Sequence, residues 1–130
     1  MTLHLQRHFD LHRPTAAADS RRAARRLFDT ALYAGESVEP AVVDTTLLLV
    51  SELVTNAVRH TDGDCSLDLE FDEDGIGIDV TDFSTAEPRP RRPDDRGGGG
   101  WGWNLVNRLG SDVAIRHREG GKTVHVRVPC

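Results

Sequence analysis

The stretch SELVTNAVRHT, residues Ser51–Thr61, continues an apolar run, VVDTTLLLV, residues 42–50. It places Glu52, Asn56 and His60 four residues apart. In a helix each step of four advances only about 40° around the axis, so the three stack on one face. A carboxylate, an amide and an imidazole aligned in this way form either a solvated stripe or the wall of a site. The neighbours decide between them. Val43, Leu47, Val50, Val54 and Ala57 form the main apolar ridge, roughly opposite Glu52 and Asn56. Leu48 and Leu49 flank the polar stripe, where a water-facing surface would carry polar residues. The pattern therefore reads as a helix from Pro40 to His60 with a partly enclosed polar stripe. Pro40 opens it at a position where a missing N–H costs nothing.

Working outward, TLHLQRHFDLH puts Leu3, Leu5, Phe9 and Leu11 at alternate positions, the pattern of a strand with one apolar face. His4, His8 and His12 then share the outer face. A helical reading would have stacked them as metal ligands, but the period of two favours an exposed face. Pro14 ends this strand, and TAAADSRRAARRLFDTALYAGE follows as an Ala- and Arg-rich helix. Its Arg21, Arg22, Arg25 and Arg26 form a basic patch, either a solvated face or a docking surface for an acidic partner.

Beyond the motif helix, CSLDLEFD alternates Cys65, Leu67, Leu69 and Phe71 inward, EDG turns the chain, and IGIDVTDF answers with Ile76, Ile78 and Val80. Residues 84–100, STAEPRPRRPDDRGGGG, read as a loop of about 17 residues, the length of a functional lid. A short helix over 101–110, WGWNLVNRLG, comes next. DVAIRHRE and KTVHVRV then close the chain as a hairpin through Gly120 and Gly121. Antiparallel hairpins backed by helices on one face predict an α+β fold, a two-layer α/β sandwich.

Composition narrows the function classes. The 130 residues are the size of one domain, taken here as 1–130. A net charge of −5 argues against general nucleic-acid binding, which needs a basic footprint. The two cysteines, Cys65 and Cys130, form neither a disulfide framework nor a metal-ligand spacing. No apolar run reaches the roughly 20 residues of a membrane span, and no signal pattern opens the chain. A soluble cytoplasmic protein without membrane contact is expected.

Gly97-x-Gly99-x-x-Gly102 formally matches the dinucleotide fingerprint, but that motif needs a strand leading directly into it within a parallel βαβ unit. Here a Pro/Arg/Asp loop precedes the glycines and the neighbouring strands are hairpins. What survives is more general. Glycines running into a helix N-terminus present backbone N–H groups to an anion such as a phosphate chain.

Taken together, Glu52-Leu53-x-x-Asn56-Ala57-x-x-His60, Asp82 after a strand, Gly100-x-Gly102-x-x-Leu105-Val106, and Gly121-Lys122-Thr123 entering the last strand resemble the GHKL, or Bergerat-fold, ATPases. Length and order look most like the bacterial anti-sigma-factor serine/threonine kinases. The resemblance covers roughly Pro40 to Val128. It implies that ATP and Mg²⁺ are bound, with Asn56 coordinating the metal through its side-chain oxygen and Glu52 acting as general base. It implies that Asp82 accepts a hydrogen bond from the adenine amino group, and that Gly98, Gly100 and Gly102 bring an ATP lid at about 84–100 against the phosphates. Leu105 falls in the same cofactor-binding segment. Thr123 either supports the adenine contact through its hydroxyl or is a β-branched strand residue. His60 is either adjacent to the site or structural, and Arg96 either adds charge to the lid or is solvated. In place of the family's Asp-x-Gly-x-Gly, the chain has Asp82-Phe83-Ser84-Thr85-Ala86. The partners implied are a sigma factor and an anti-anti-sigma-type antagonist protein that would be phosphorylated, with a homodimer also possible. The competing expectation is a nucleotide-gated binding module without productive turnover.

Overall fold

The computed structural model describes residues 3–59, 63–83 and 111–130. Five strands and two helices follow one another: β1 (Leu5–His12), α1 (Ala16–Tyr33), α2 (Pro40–Arg59), β2 (Asp64–Asp72), β3 (Gly75–Asp82), β4 (Ser111–Arg118) and β5 (Gly121–Pro129). The strands make one antiparallel sheet in the order β1-β2-β3-β5-β4. α1 lies over β1 and β2, and α2 over β3 with β2 and β5 beside it. The α+β two-layer sandwich expected from the sequence is the fold observed.

Period-two patterning makes the sheet. Cys65, Leu67, Leu69 and Phe71 of β2, Ile76, Ile78 and Val80 of β3, and Val124, Val126 and Val128 of β5 all enter the core. Each such aliphatic side chain contributes about 1.5–3 kcal/mol when fully buried. Two-residue turns set the register. In the β2–β3 turn the Asp72 carboxylate accepts from the backbone N–H groups of Asp74 and Gly75, at 2.9 and 3.1 Å. At the β4–β5 turn Gly120 takes a positive φ of 78°, a conformation glycine adopts without steric penalty.

Helical spacing builds the second layer. α1 buries Ala16, Ser20, Ala23, Ala24, Leu27, Phe28 and Ala31, a stripe at three- and four-residue steps. Alanines there let α1 come close to its neighbours. α2 buries Thr46, Leu49, Val50, Leu53, Val54 and Ala57. The ridge is thus rotated from the one expected: Leu49 and Leu53 are central, while Val43 and Leu47 are only partly buried at its margin. The reason is tertiary. α2 meets both α1 and the sheet, so two adjoining stripes are covered rather than one. Thr46 fits in that core because its hydroxyl donates to the Val42 carbonyl at 2.8 Å.

By length and composition α2 could cross a membrane, being 20 residues long with a mean hydropathy of 1.5 over its most apolar 18. This corrects the expectation that no such run exists. In the fold its apolar stripe packs against α1 and the sheet.

Candidate functional site

Asp82 is the last residue of β3 and one of the few charged side chains in the interior, 2% exposed. It sits on the sheet face that carries the core, because β3 alternates Ile76, Ile78, Val80 and Asp82 toward the helices. Directly across in β5 lies Lys122, which is equally buried. The Lys122 ammonium bridges the carboxylate, with Nζ 3.0 Å from Oδ2 and 3.2 Å from Oδ1. The negative charge is felt nearby. Burial, then the charges of Asp82 and Asp64, push the Cys65 thiol up to about 11.

Glycine makes the approach of the two strands possible. A Cβ on Gly121 would come within 2.2 Å of the Asp82 carbonyl oxygen. The Gly121-Lys122 pair therefore brings β5 against the end of β3 and places the ammonium on the carboxylate.

Glu52 and Asn56 lie one turn apart on α2, and both are half-buried, as the partly enclosed stripe requires. Beside them, Ser51 accepts a hydrogen bond from Arg21 Nη1 at 2.9 Å, tying the motif helix to α1. Arg22 pairs with Asp19 within α1. Of the four arginines of the basic patch, Arg21 therefore ties α1 to α2, while Arg22, Arg25 and Arg26 are exposed. The sequence-designated His60, Arg96, Gly98, Gly100, Gly102 and Leu105, with the lid over 84–100 and the helix over 101–110, lie outside the described residues.

Thr123 requires a correction. Its hydroxyl lies 2.8 Å from that of Thr81 and accepts from Arg118 at 3.0 Å. Thr81 and Thr123 are opposite each other in register, one position on from the Asp82–Lys122 pair, and so on the other face of the sheet. Thr123 cannot support a contact at Asp82; Lys122 stands there instead. The signal was available in the sequence. Val124, Val126 and Val128 point inward, which puts Lys122 inward and Thr123 outward.

The three N-terminal histidines occupy the outer face, as their spacing predicts. His4 lies 3.0 Å from Glu70, His8 2.6 Å from Asp68, and His12 2.7 Å from Asp64. On the same face His125 sits 2.5 Å from Asp79. Each imidazole is matched to a carboxylate on the adjacent strand. Among the described residues, no group of three or more His, Cys, Asp or Glu is placed to hold a metal ion. Both cysteines are free thiols.

An antiparallel sheet backed by two helices, with a buried acid ending its central strand and an acid–amide pair along the motif helix, makes a domain of the two-layer α/β type. The chain belongs to the histidine kinase-like ATPase domain family, whose model matches residues 14–128. Among solved structures it is similar to the RsbU and RsbW domains of Rv1364c from Mycobacterium tuberculosis. The TM-score is 0.68 at 21% sequence identity, over 95% of this chain and 31% of that one. The chain thus spans about a third of the length of that relative. Comparison with curated proteins gives no match.

Proposed function

We propose that this domain is an ATP-dependent regulator of transcription, an anti-sigma-factor serine/threonine protein kinase that phosphorylates an antagonist protein and sequesters a sigma factor. The observation that carries the reading is the buried Asp82 carboxylate, closing β3 on the helix-side face of a sheet belonging to an ATPase family. A carboxylate can only accept hydrogen bonds, which suits the exocyclic amino group of adenine and opposes the carbonyl of guanine.

The donor set around α2 fits Mg²⁺. Asn56 supplies one neutral oxygen from a half-buried position, with no cluster of three or more acidic, His or Cys ligands among the described residues. A small hard cation held by one protein oxygen takes the rest of its octahedron from phosphate oxygens and water. When bound, the ion would neutralise charge on the phosphates. Glu52, one turn before Asn56, would accept the proton of the attacking serine or threonine hydroxyl. Gly98, Gly100 and Gly102 would present backbone N–H groups to the phosphate chain, with Leu105 and His60 beside the nucleotide. The reading further places the protein in the cytoplasm, as a homodimer or a monomer.

A single-turnover assay with γ-labelled ATP, Mg²⁺ and candidate antagonist proteins tests it. Labelled phosphoserine or phosphothreonine on a partner, lost in Glu52→Gln, is expected. Binding of MgATP without transfer to any partner would instead establish the second reading, a nucleotide-gated binding module. That alternative is favoured by one local departure: Phe83, 72% exposed, follows Asp82 in a segment lacking the family's two glycines.

A further inference from the structure

Among the described residues the sheet has two edges, β4 and β1, and they are built differently. β4 is irregular against β5 between Ser111 and Ala114, with Asp112 at a φ of 51°, and such a bulge blunts an edge against further pairing. β1 carries neither bulge nor proline. Its eight residues pair with β2 in unbroken register, from Leu5 opposite Phe71 to His12 opposite Asp64. One contact just beyond the strand shows which backbone groups face outward: the Arg13 N–H donates to the Gly63 carbonyl at 2.8 Å. Backbone groups alternate in direction along a strand, so Leu5, Arg7, Phe9 and Leu11 turn theirs to β2, as Arg13 does. Gln6, His8, Asp10 and His12 turn theirs away from it. The Gln6 carbonyl fits that sense, accepting from the Arg7 guanidinium at 2.7 Å.

Beside this edge runs a groove of about 470 Å³, lined by Phe9 and Asp10 of β1 and by Asp19, Arg22, Ala23 and Arg26 of α1. We propose that the free edge of β1 and the arginine face of α1 together dock an extended acidic segment of a partner protein, which joins the sheet as a further strand. In such strand addition the outward backbone groups supply the binding and the flanking side chains select the sequence. Charge complementarity names the occupant. Residues 5–26 hold six arginines and two aspartates, although the whole chain has a net charge of −5. Both aspartates are engaged, Asp10 by His8 and Asp19 by Thr15 and Arg22, whereas Arg25 and Arg26 stand exposed. A second copy of the chain suits the edge less well, because two β1 edges meeting would bring the same basic segments together. The surface is separated from β3 by β2 and needs no nucleotide. Its failure would leave the ATP-binding reading standing, and the reverse also holds.

The probe is a synthetic peptide as long as β1 that alternates glutamate with valine, added to the full chain while amide exchange is followed residue by residue by NMR. The amides of Gln6, His8, Asp10 and His12 should slow by roughly two- to tenfold, what one net hydrogen bond is worth. Those of Arg7, Phe9 and Leu11, already turned to β2, should change little. The same peptide with lysine for glutamate should not bind, nor should an acidic one with proline for valine, which cannot extend a ladder. Reversing two exposed charges, Arg22→Glu with Arg26→Glu, should weaken binding by roughly fivefold or more, since one exposed ion pair is worth up to about that factor. Asp10→Pro removes an outward N–H together with a negative charge. It should weaken binding through the backbone even though the charge change alone would strengthen it. If Asp10→Pro does not fold, the arginine variant is read in its place. An acidic peptide that fails to bind, or binds without slowing the outward amides, overturns the proposal. Slowing of those amides by higher protein concentration alone also overturns it, making the edge a seam between two copies.

Discussion

Gly121 and Asp82 touch through their backbones, so closely that even a methyl group on Gly121 would lie 2.2 Å from the Asp82 carbonyl oxygen. The contact joins the start of β5 to the end of β3 and sets the distance at which Lys122 meets Asp82. Gly121→Ala must therefore displace a strand. It should cost about 1–3 kcal/mol in urea unfolding, as overpacking does. Gly120→Ala, with nothing within 4 Å of its added Cβ, meets no such clash. Its cost is confined to the positive φ of 78°.

The ion pair itself makes a second prediction, independent of any ligand. Lys122→Met takes the cation away from a buried carboxylate and should destabilise the fold by about 3–5 kcal/mol. Replacing both members, as in Asp82→Leu with Lys122→Met, should recover most of that loss, since the apolar pair carries no desolvation cost. Equal losses in the single and double variants, measured by denaturant titration, would contradict this account of the pair.

The outer face gives the fold a pH dependence. The hydrogen bond to Asp68, then that to Asp10, raises His8 above its ordinary 6.5, and Asp64 does the same for His12. A group raised on folding contributes stability that is complete below 6.5 and is lost as pH rises through its folded value. Carboxylates act in the opposite sense. Gln6, then His4, holds Glu70 below its ordinary 4.5, and Thr15, then Arg22, holds Asp19 below 3.8. Their contribution is present above those ordinary values and lost as pH falls through the depressed ones. Stability should therefore peak between 4.5 and 6.5. Denaturation midpoints across that range, with Asp68→Asn flattening the alkaline limb, check it.

The two thiols should differ in reactivity. Cys65 is buried, its thiol pushed up to about 11, and so is overwhelmingly protonated at neutral pH. Cys130 is also raised, by burial first, but is exposed. Alkylation of the native protein at mildly alkaline pH should label Cys130 alone, and Cys65 only on unfolding. Peptide mass spectrometry reads the outcome directly. Native-state labelling of Cys65 would mean that the β2 edge of the Asp82 site opens.

Much of this fold was written locally. Alternation in CSLDLEFD and KTVHVRV specified strands and their inner faces, and the apolar spacing after Pro40 specified a helix of the right length. The same local rule put His4, His8 and His12 outside. It also carried enough to separate Lys122 from Thr123, since side chains on one strand alternate whatever lies next to them. The motif order, from Glu52 and Asn56 to Asp82 and Gly121, was sufficient to anticipate the family.

Local periodicity did not say which residue faces which across the sheet, or which of several apolar stripes on a helix is covered. Both depend on contacts between segments far apart in the chain. The rotated ridge of α2 arose because two layers press on it at once. Asp82 met Lys122 because β5 enters the sheet beside β3, forty residues later in sequence. A strand's own pattern fixes the direction of its side chains; only the assembled sheet supplies the charge that stands opposite.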